Sequence, residues 1–235
     1  MKIGIIGAGM IGATLARRLT SLGHEVVIAN SRGPQTLREL AAETGARAVT
    51  AAEAARGGEI VIVTIPQRAV PDLPEDLFAG VPGDVVVVDT GNYYPARDGP
   101  IDAIEGGQVE SAWVAEHLGR AVVKAFNNIV SRSLLENGRP EGAPGRIALP
   151  VAGDPPGARE KVMRLVDELG FDPVDAGGLE ESWRQQPGTP CYAADLDARR
   201  LKEALAAAER GRLPEYRGKA DAAARAFFAS RPQRQ

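Results

Sequence analysis

The chain has 235 residues, with 28 Lys and Arg against 31 Asp and Glu, a net charge of −3, 44% hydrophobic and 25% charged residues. That balance offers no basic surface for nucleic acid, and no apolar run approaches the length that spans a bilayer. One cysteine, Cys191, allows neither an internal disulfide nor a cysteine-rich metal site, so a globular cytoplasmic protein without a signal peptide is expected.

An apolar strand over Lys2–Ile6 runs directly into Gly7-Ala8-Gly9-Met10-Ile11-Gly12. A helix is predicted next over Ala13–Leu22, with Leu15, Leu19 and Leu22 on one face and Gly23 at its end. Strand, G-x-G-x-x-G and helix together are the context of a dinucleotide site. Gly7 permits the tight turn, Gly9 lets backbone approach a pyrophosphate, and Gly12 lets the helix pack close to the strand.

The second strand, Glu25–Ala29, ends at Asn30-Ser31-Arg32, where an NAD enzyme would place an acid for the adenosine ribose. No acid occurs between Val26 and Leu37. Neutral donors and a guanidinium suit a 2′-phosphate, which a carboxylate would repel, so the loop reads as NADP-binding.

Further strands are predicted at 48–50, 59–65, 84–89 and 121–126, with helices at 36–44, 51–56 and 111–118 between them. Strands this continuously apolar belong to a parallel sheet covered on both faces. The fold class is therefore α/β, a Rossmann-type, doubly wound, mostly parallel sheet. After a Gly- and Pro-rich loop at 139–145, a strand at 146–153, a helix from an Asp154 N-cap to Gly170 and a strand at 171–175 bring the sheet to seven or eight strands. Residues 1–179 form the nucleotide-binding domain, and 180–235 a short helical extension packing on the core or on a partner subunit, a homodimer being one arrangement. Within the extension, 180–192 reads as loop or broken helix, 196–210 and 221–228 as helices, and Arg231–Gln235 as a frayed end.

Ligands of such sheets bind beyond the carboxyl ends of the strands. Thr64-Ile65-Pro66 follows one strand, and Asp89-Thr90-Gly91-Asn92 turns immediately beyond another, at the nicotinamide end. Lys124-Ala125-Phe126-Asn127-Asn128 follows a third, where asparagine amides can face a ring-shaped acceptor. Asn92, Asn127, Asn128 and Lys124 are the acceptor-facing candidates. Helix capping remains open for the two adjacent asparagines, and Lys124 reads either as an inward cation or as a plain strand residue. His24 reads as a turn residue, His117 as a helix-end residue and Cys191 as a passive thiol.

No carboxylate pair, Ser-His-Asp order or His/Cys metal spacing is present. Hydride passed between two redox cofactors needs mainly alignment, whereas a ketone or imine usually also needs a positioned acid. Three readings stay open: hydride transfer between NADP(H) and a flat acceptor, reduction of a small carbonyl or imine with Lys124 as acid, and a non-catalytic NADP(H) sensor.

The blocks Gly7–Gly12, Asn30–Arg32, Thr64–Pro66, Asp89–Asn92, Val123–Asn127, Leu149–Asp154 and Val174–Gly177 occur in the order found in the deazaflavin (coenzyme F420)-dependent NADP oxidoreductases. Over about residues 1–179 the chain resembles that family and its relatives, the cytosolic NADPH-flavin oxidoreductase domains of the six-transmembrane epithelial antigen metalloreductases. The resemblance implies that Ser31 and Arg32 hold the 2′-phosphate, that Thr64, Ile65 and Pro66 line the nicotinamide pocket, and that Asn92 with Asn127 border a flavin-like acceptor. FMN, FAD or coenzyme F420 would be that second cofactor or substrate. Asn127 stands where the deazaflavin enzymes carry a histidine, closer to the metalloreductase form.

Overall fold

The computed structural model describes residues 1–229, so the expectation for Arg231–Gln235 lies outside the described residues. Its first half runs β1 (Lys2–Ile6), α1 (Met10–Ser21), β2 (Glu25–Ala29), α2 (Arg38–Thr44), β3 (Arg47–Ala48), α3 (Ala51–Arg56), β4 (Ile60–Val63) and β5 (Val86–Asp89). There follow α4 (Pro95–Asp98), α5 (Asp102–Glu105), α6 (Glu110–Leu118), β6 (Val122–Lys124), α7 (Ser131–Glu136), β7 (Ala148–Gly153), α8 (Pro156–Glu168) and β8 (Asp172–Asp175). Two helices, α9 (Ala198–Ala207) and α10 (Leu213–Ala229), close the described chain.

All eight strands form one sheet in the order β3-β2-β1-β4-β5-β6-β7-β8. Neighbours are parallel except β6 and β7, which pair antiparallel through Val123 with Gly153 and Lys124 with Ala152. The strand order reverses between β1 and β4, the switch point at which open α/β sheets bind ligands.

Side chains alternate across the sheet, so each strand feeds two cores. Ile3, Ile5, Ile28, Ile60 and Ile62 pack with Leu15 and Leu19 of α1 and with Val162 and Leu165 of α8. On the other face, Ile6 and Val61 meet Ala54 and Ala55 of α3, while Val63, Val87 and Val122 meet Trp113 and Val114 of α6. Each fully buried aliphatic side chain here contributes roughly 1.5–3 kcal/mol. Gly4 permits the α3 contact, because a Cβ there would lie 2.0 Å from the Ala54 carbonyl oxygen.

The structure moves several predicted boundaries. Helix α1 begins at Met10 rather than Ala13, since Gly9 is the N-cap and the motif itself supplies the first turn. A 3₁₀ turn over Pro34–Leu37 replaces the start of the predicted 36–44 helix, whose α-helical part begins at Arg38. Asp154 is not the N-cap of α8; Pro155 holds that position, and the Asp154 carboxylate accepts instead from the Leu179 N–H at 3.1 Å. Asn127 and Asn128 cap nothing, because α7 starts at Ser131 with Val130 as its N-cap. The segment read as loop or broken helix contains a 3₁₀ helix over Leu179–Gln185. The last helix begins at Leu213 rather than Asp221, extended by contacts remote in sequence: Arg217 with the Glu105 carboxylate and Asp221 with the Ala96 N–H.

Candidate active site

The carboxyl ends of the parallel strands are tied into one rim. Gly7 N–H donates to the Ala29 carbonyl, Thr64 N–H to Ile6, Thr90 N–H to Val63 and Ala125 N–H to Asp89. The glycine turn, Asn30, Thr64, Thr90 and the Phe126-Asn127 turn therefore sit side by side.

Each motif glycine has its own physical reason. Gly7 adopts φ +117°, and a Cβ there would stand 2.2 Å from the Thr64 carbonyl oxygen. Gly12 presses against the turn so closely that a Cβ would lie 2.0 Å from the Gly7 carbonyl oxygen. Gly9 faces open space, with nothing within 4 Å of its Cβ position. That cradle lies at the start of α1, which carries no side-chain cap and no acid in its first turn, leaving amide N–H groups and the positive end of the helix dipole for an anion. The residues fit a pyrophosphate. Ala8 and Ile11 pack inward against the core, and Met10 is an exposed apolar residue.

Asn30 builds the neighbouring loop: its side-chain oxygen accepts from Arg32 N–H at 3.0 Å, and its amide donates to Thr36 Oγ1 at 2.9 Å. Ser31 and Arg32 are exposed, and among the described residues neither side chain has a hydrogen-bond or ion-pair partner. A cation held at a loop tip, with no carboxylate to neutralise it, fits a 2′-phosphate. Farther along the rim, Thr64 and Ile65 are half-buried and Pro66 is exposed.

Asn92 and Asn127 bind each other. The Asn92 amide donates to the Asn127 carbonyl at 2.9 Å, and Asn127 Nδ2 donates to Asn92 Oδ1 at 3.1 Å and to the Gln185 carbonyl at 2.6 Å. Gln185 Nε2 returns a bond to Asn127 Oδ1 at 2.9 Å. Asn128 is buried, its carbonyl accepting from Ala193 N–H at 2.8 Å while its side-chain oxygen has no partner.

Lys124 is an inward cation. It is fully buried, and its ammonium donates to Asp89 Oδ2 at 2.9 Å and to the Gly91 carbonyl. Ser111 Oγ donates to the same Asp89 oxygen at 2.7 Å, and Gly91 N–H donates to the other at 2.7 Å. Glu110, buried beside them, accepts from Tyr93 N–H at 3.1 Å. Burial pushes its carboxyl up to about 7, against the opposing pull of Lys124. This polar cluster clamps the Gly91-Asn92-Tyr93 turn from below.

Sequence reasoning missed Glu110, Ser111 and Gln185 as parts of the site, whereas Gln67 falls in the stretch that follows the strand ending before Pro66. Gln67 is fully buried, with Nε2 donating to the Glu110 carbonyl at 3.0 Å. The one available signal was polar residues opening an apolar helix beside a strand that ends in Asp89. His117 stacks on Trp113 with ring centroids 3.9 Å apart, and its Nδ1 bonds the Trp113 carbonyl, so it supports the helix end. Cys191 is buried with its thiol pushed up to about 11 by desolvation, which makes it passive. Among the described residues no cluster of His, Cys, Asp and Glu could hold a metal ion, and no helix is long and apolar enough to cross a membrane.

Strand order and glycine cradle together define a Rossmann-type α/β fold with its ligand crevice at the strand ends. Residues 2–93 match the model of the coenzyme F420-dependent NADP oxidoreductase family. It is 49% identical over 82 residues to YjhV of Escherichia coli K12, covering 33% of this chain and 60% of that protein. It is 29% identical over 181 residues to the metalloreductase STEAP3 of Rattus norvegicus, covering 76% of this chain but 34% of that protein. The chain thus spans between about a third and three-fifths of these curated relatives. A crystal structure of SMa0349 from Sinorhizobium meliloti superposes with a TM-score of 0.70 at 35% identity, covering 83% of this chain and 95% of that one.

Proposed function

We propose that the protein is an NADPH-dependent oxidoreductase that passes hydride between NADP(H) and a flavin-like or deazaflavin acceptor in the crevice at the strand ends. The observation that carries the cofactor half is the open Gly9 cradle beside the unpaired Arg32 on a loop without acids. Bound NADPH supplies the hydride; the protein supplies alignment and a polar wall. The glycine turn and α1 hold the pyrophosphate, Ser31 and Arg32 the 2′-phosphate, and Thr64 to Pro66 the nicotinamide ribose side.

Support for a flat acceptor comes from the family and from the Asn92–Asn127–Gln185 network, which presents a fixed amide wall rather than a free acid. Lys124, the acid that a small-carbonyl reductase would need, is engaged by Asp89 and the Gly91 carbonyl below that wall.

Anaerobic stopped-flow oxidation of NADPH with FMN, FAD and coenzyme F420 offered in parallel tests this reading. Rapid oxidation with one of them names the acceptor class. Tight NADPH binding without oxidation by any would sink the proposal in favour of a small-molecule reductase or a sensor.

A further inference from the structure

Beside the amide wall lies a second bridge, from the turn beyond β5 to the segment whose Ala193 N–H bonds the Asn128 carbonyl. Tyr94, two residues beyond Asn92, and Tyr192, one residue before the Ala193 N–H that bonds the Asn128 carbonyl, join through their hydroxyls. Both side chains are half-buried, and among the described residues each hydroxyl bonds only to the other. Two phenols carry two protons and need one to join them, so one O–H remains free to donate elsewhere.

The surroundings decide which tyrosine keeps the free proton. The Arg97 guanidinium lies 5.3 Å from the Tyr94 ring centroid while also donating to the Asn92 carbonyl and to Asp98. Phe228 of α10 packs edge-on against the same ring at 5.3 Å. Negative charge is therefore tolerated better on Tyr94 than on Tyr192. Burial raises both phenols, Tyr192 further; Arg97 opposes the rise, whereas Glu110 and Asp221 add to it for Tyr94. In that polarity Tyr192 donates to Tyr94, and the Tyr94 O–H keeps the proton that is free to donate.

We propose that Tyr94 is the proton donor to the hydride acceptor, and that Tyr192 is the residue that positions Tyr94 and holds its phenolate. This rests on the hydride-transfer reading above. Hydride from the dihydronicotinamide C4 brings two electrons and one proton to one acceptor atom. The Tyr94 O–H bond then breaks to supply the second proton to the ring nitrogen or oxygen left anionic, and solvent reprotonates the half-exposed Tyr94. The acceptor class is a conjugated ring that takes hydride and proton on different atoms: a flavin, a deazaflavin or a quinone.

The test compares wild type, Tyr94→Phe and Tyr192→Phe by single-turnover NADPH oxidation from pH 6 to 9, with NADPH binding followed by fluorescence. Wild type is expected to be flat across that range. Tyr94→Phe is expected to be slower by roughly a hundredfold or more, with a rate that falls as pH rises and unchanged NADPH affinity. Carbon NMR of ring-labelled tyrosine, without cofactor, is expected to show Tyr94 titrating at higher pH in Tyr192→Phe than in wild type. A Tyr94→Phe protein at wild-type rate overturns the donor role alone; so does one that is slower but flat in pH with a raised acceptor KM. A Tyr94 signal that titrates unchanged in Tyr192→Phe overturns the pairing. Wild type inactive with every acceptor overturns the functional reading and the donor role together.

Discussion

Arg32 stands at the tip of a loop whose backbone is set by the Asn30 side chain, so its guanidinium is positioned without being neutralised. Replacing it by Ala is expected to weaken NADPH by roughly 1.5–3 kcal/mol, and NADH hardly at all, because only NADPH brings a phosphate to the site. Fluorescence titration with both nucleotides checks this; equal losses would overturn the 2′-phosphate assignment. Lys124 shows the opposite case, a cation whose work is internal. Lys124→Met leaves Asp89 buried with its charge unmatched, at a cost of about 3–5 kcal/mol read as a lower urea midpoint. The residue was conspicuous in the sequence as a lysine ending an apolar strand, but its partner lies 35 positions away, so its role was not legible there.

At the scale of elements, the glycine motif separates two functions that a sequence pattern merges. Gly12→Ala drives a methyl into the Gly7 carbonyl and must shift α1, so both stability and NADPH binding are expected to fall. Gly9→Ala meets no protein atom within 4 Å, so melting should stay within about 1 kcal/mol of wild type while NADPH binding is lost. Thermal melts paired with nucleotide titration distinguish the two. Strand β2 and helix α3 have the bounds read from the sequence, since short runs between turn residues mark them locally. The segment 180–192 read only as loop or broken helix, because Trp183 and Cys191 are buried largely against elements distant in sequence. Helix α10 was found only in part for the same reason: its first turns are held by Glu105, not by periodicity of their own.

For the whole molecule, the buried charge cluster under the crevice couples stability to pH. The Glu110 carboxyl is raised from its ordinary 4.5 to about 7 in the folded chain, so the folded state binds this proton more tightly than the unfolded one. Its contribution is therefore most favourable below about 4.5, declines as pH rises towards 7, and is constant beyond that. Glu110→Gln removes the ionisation. Its stability relative to wild type is expected to improve by about 3 kcal/mol between pH 4.5 and 7.5, measured by urea unfolding at several pH values. A difference independent of pH would show that Glu110 is not the titrating group.

The α/β class, the glycine cradle and the absence of an acid after β2 are legible in the chain alone, because these rest on short-range chemistry: turn geometry, apolar runs and the residue types of one loop. It takes the folded chain to show that Lys124 faces inward to Asp89, that Asn92 and Asn127 bind each other and Gln185, and that Tyr94 meets Tyr192. Those pairings join residues 35 to 98 positions apart, and no local pattern encodes which distant partner a buried polar group will find.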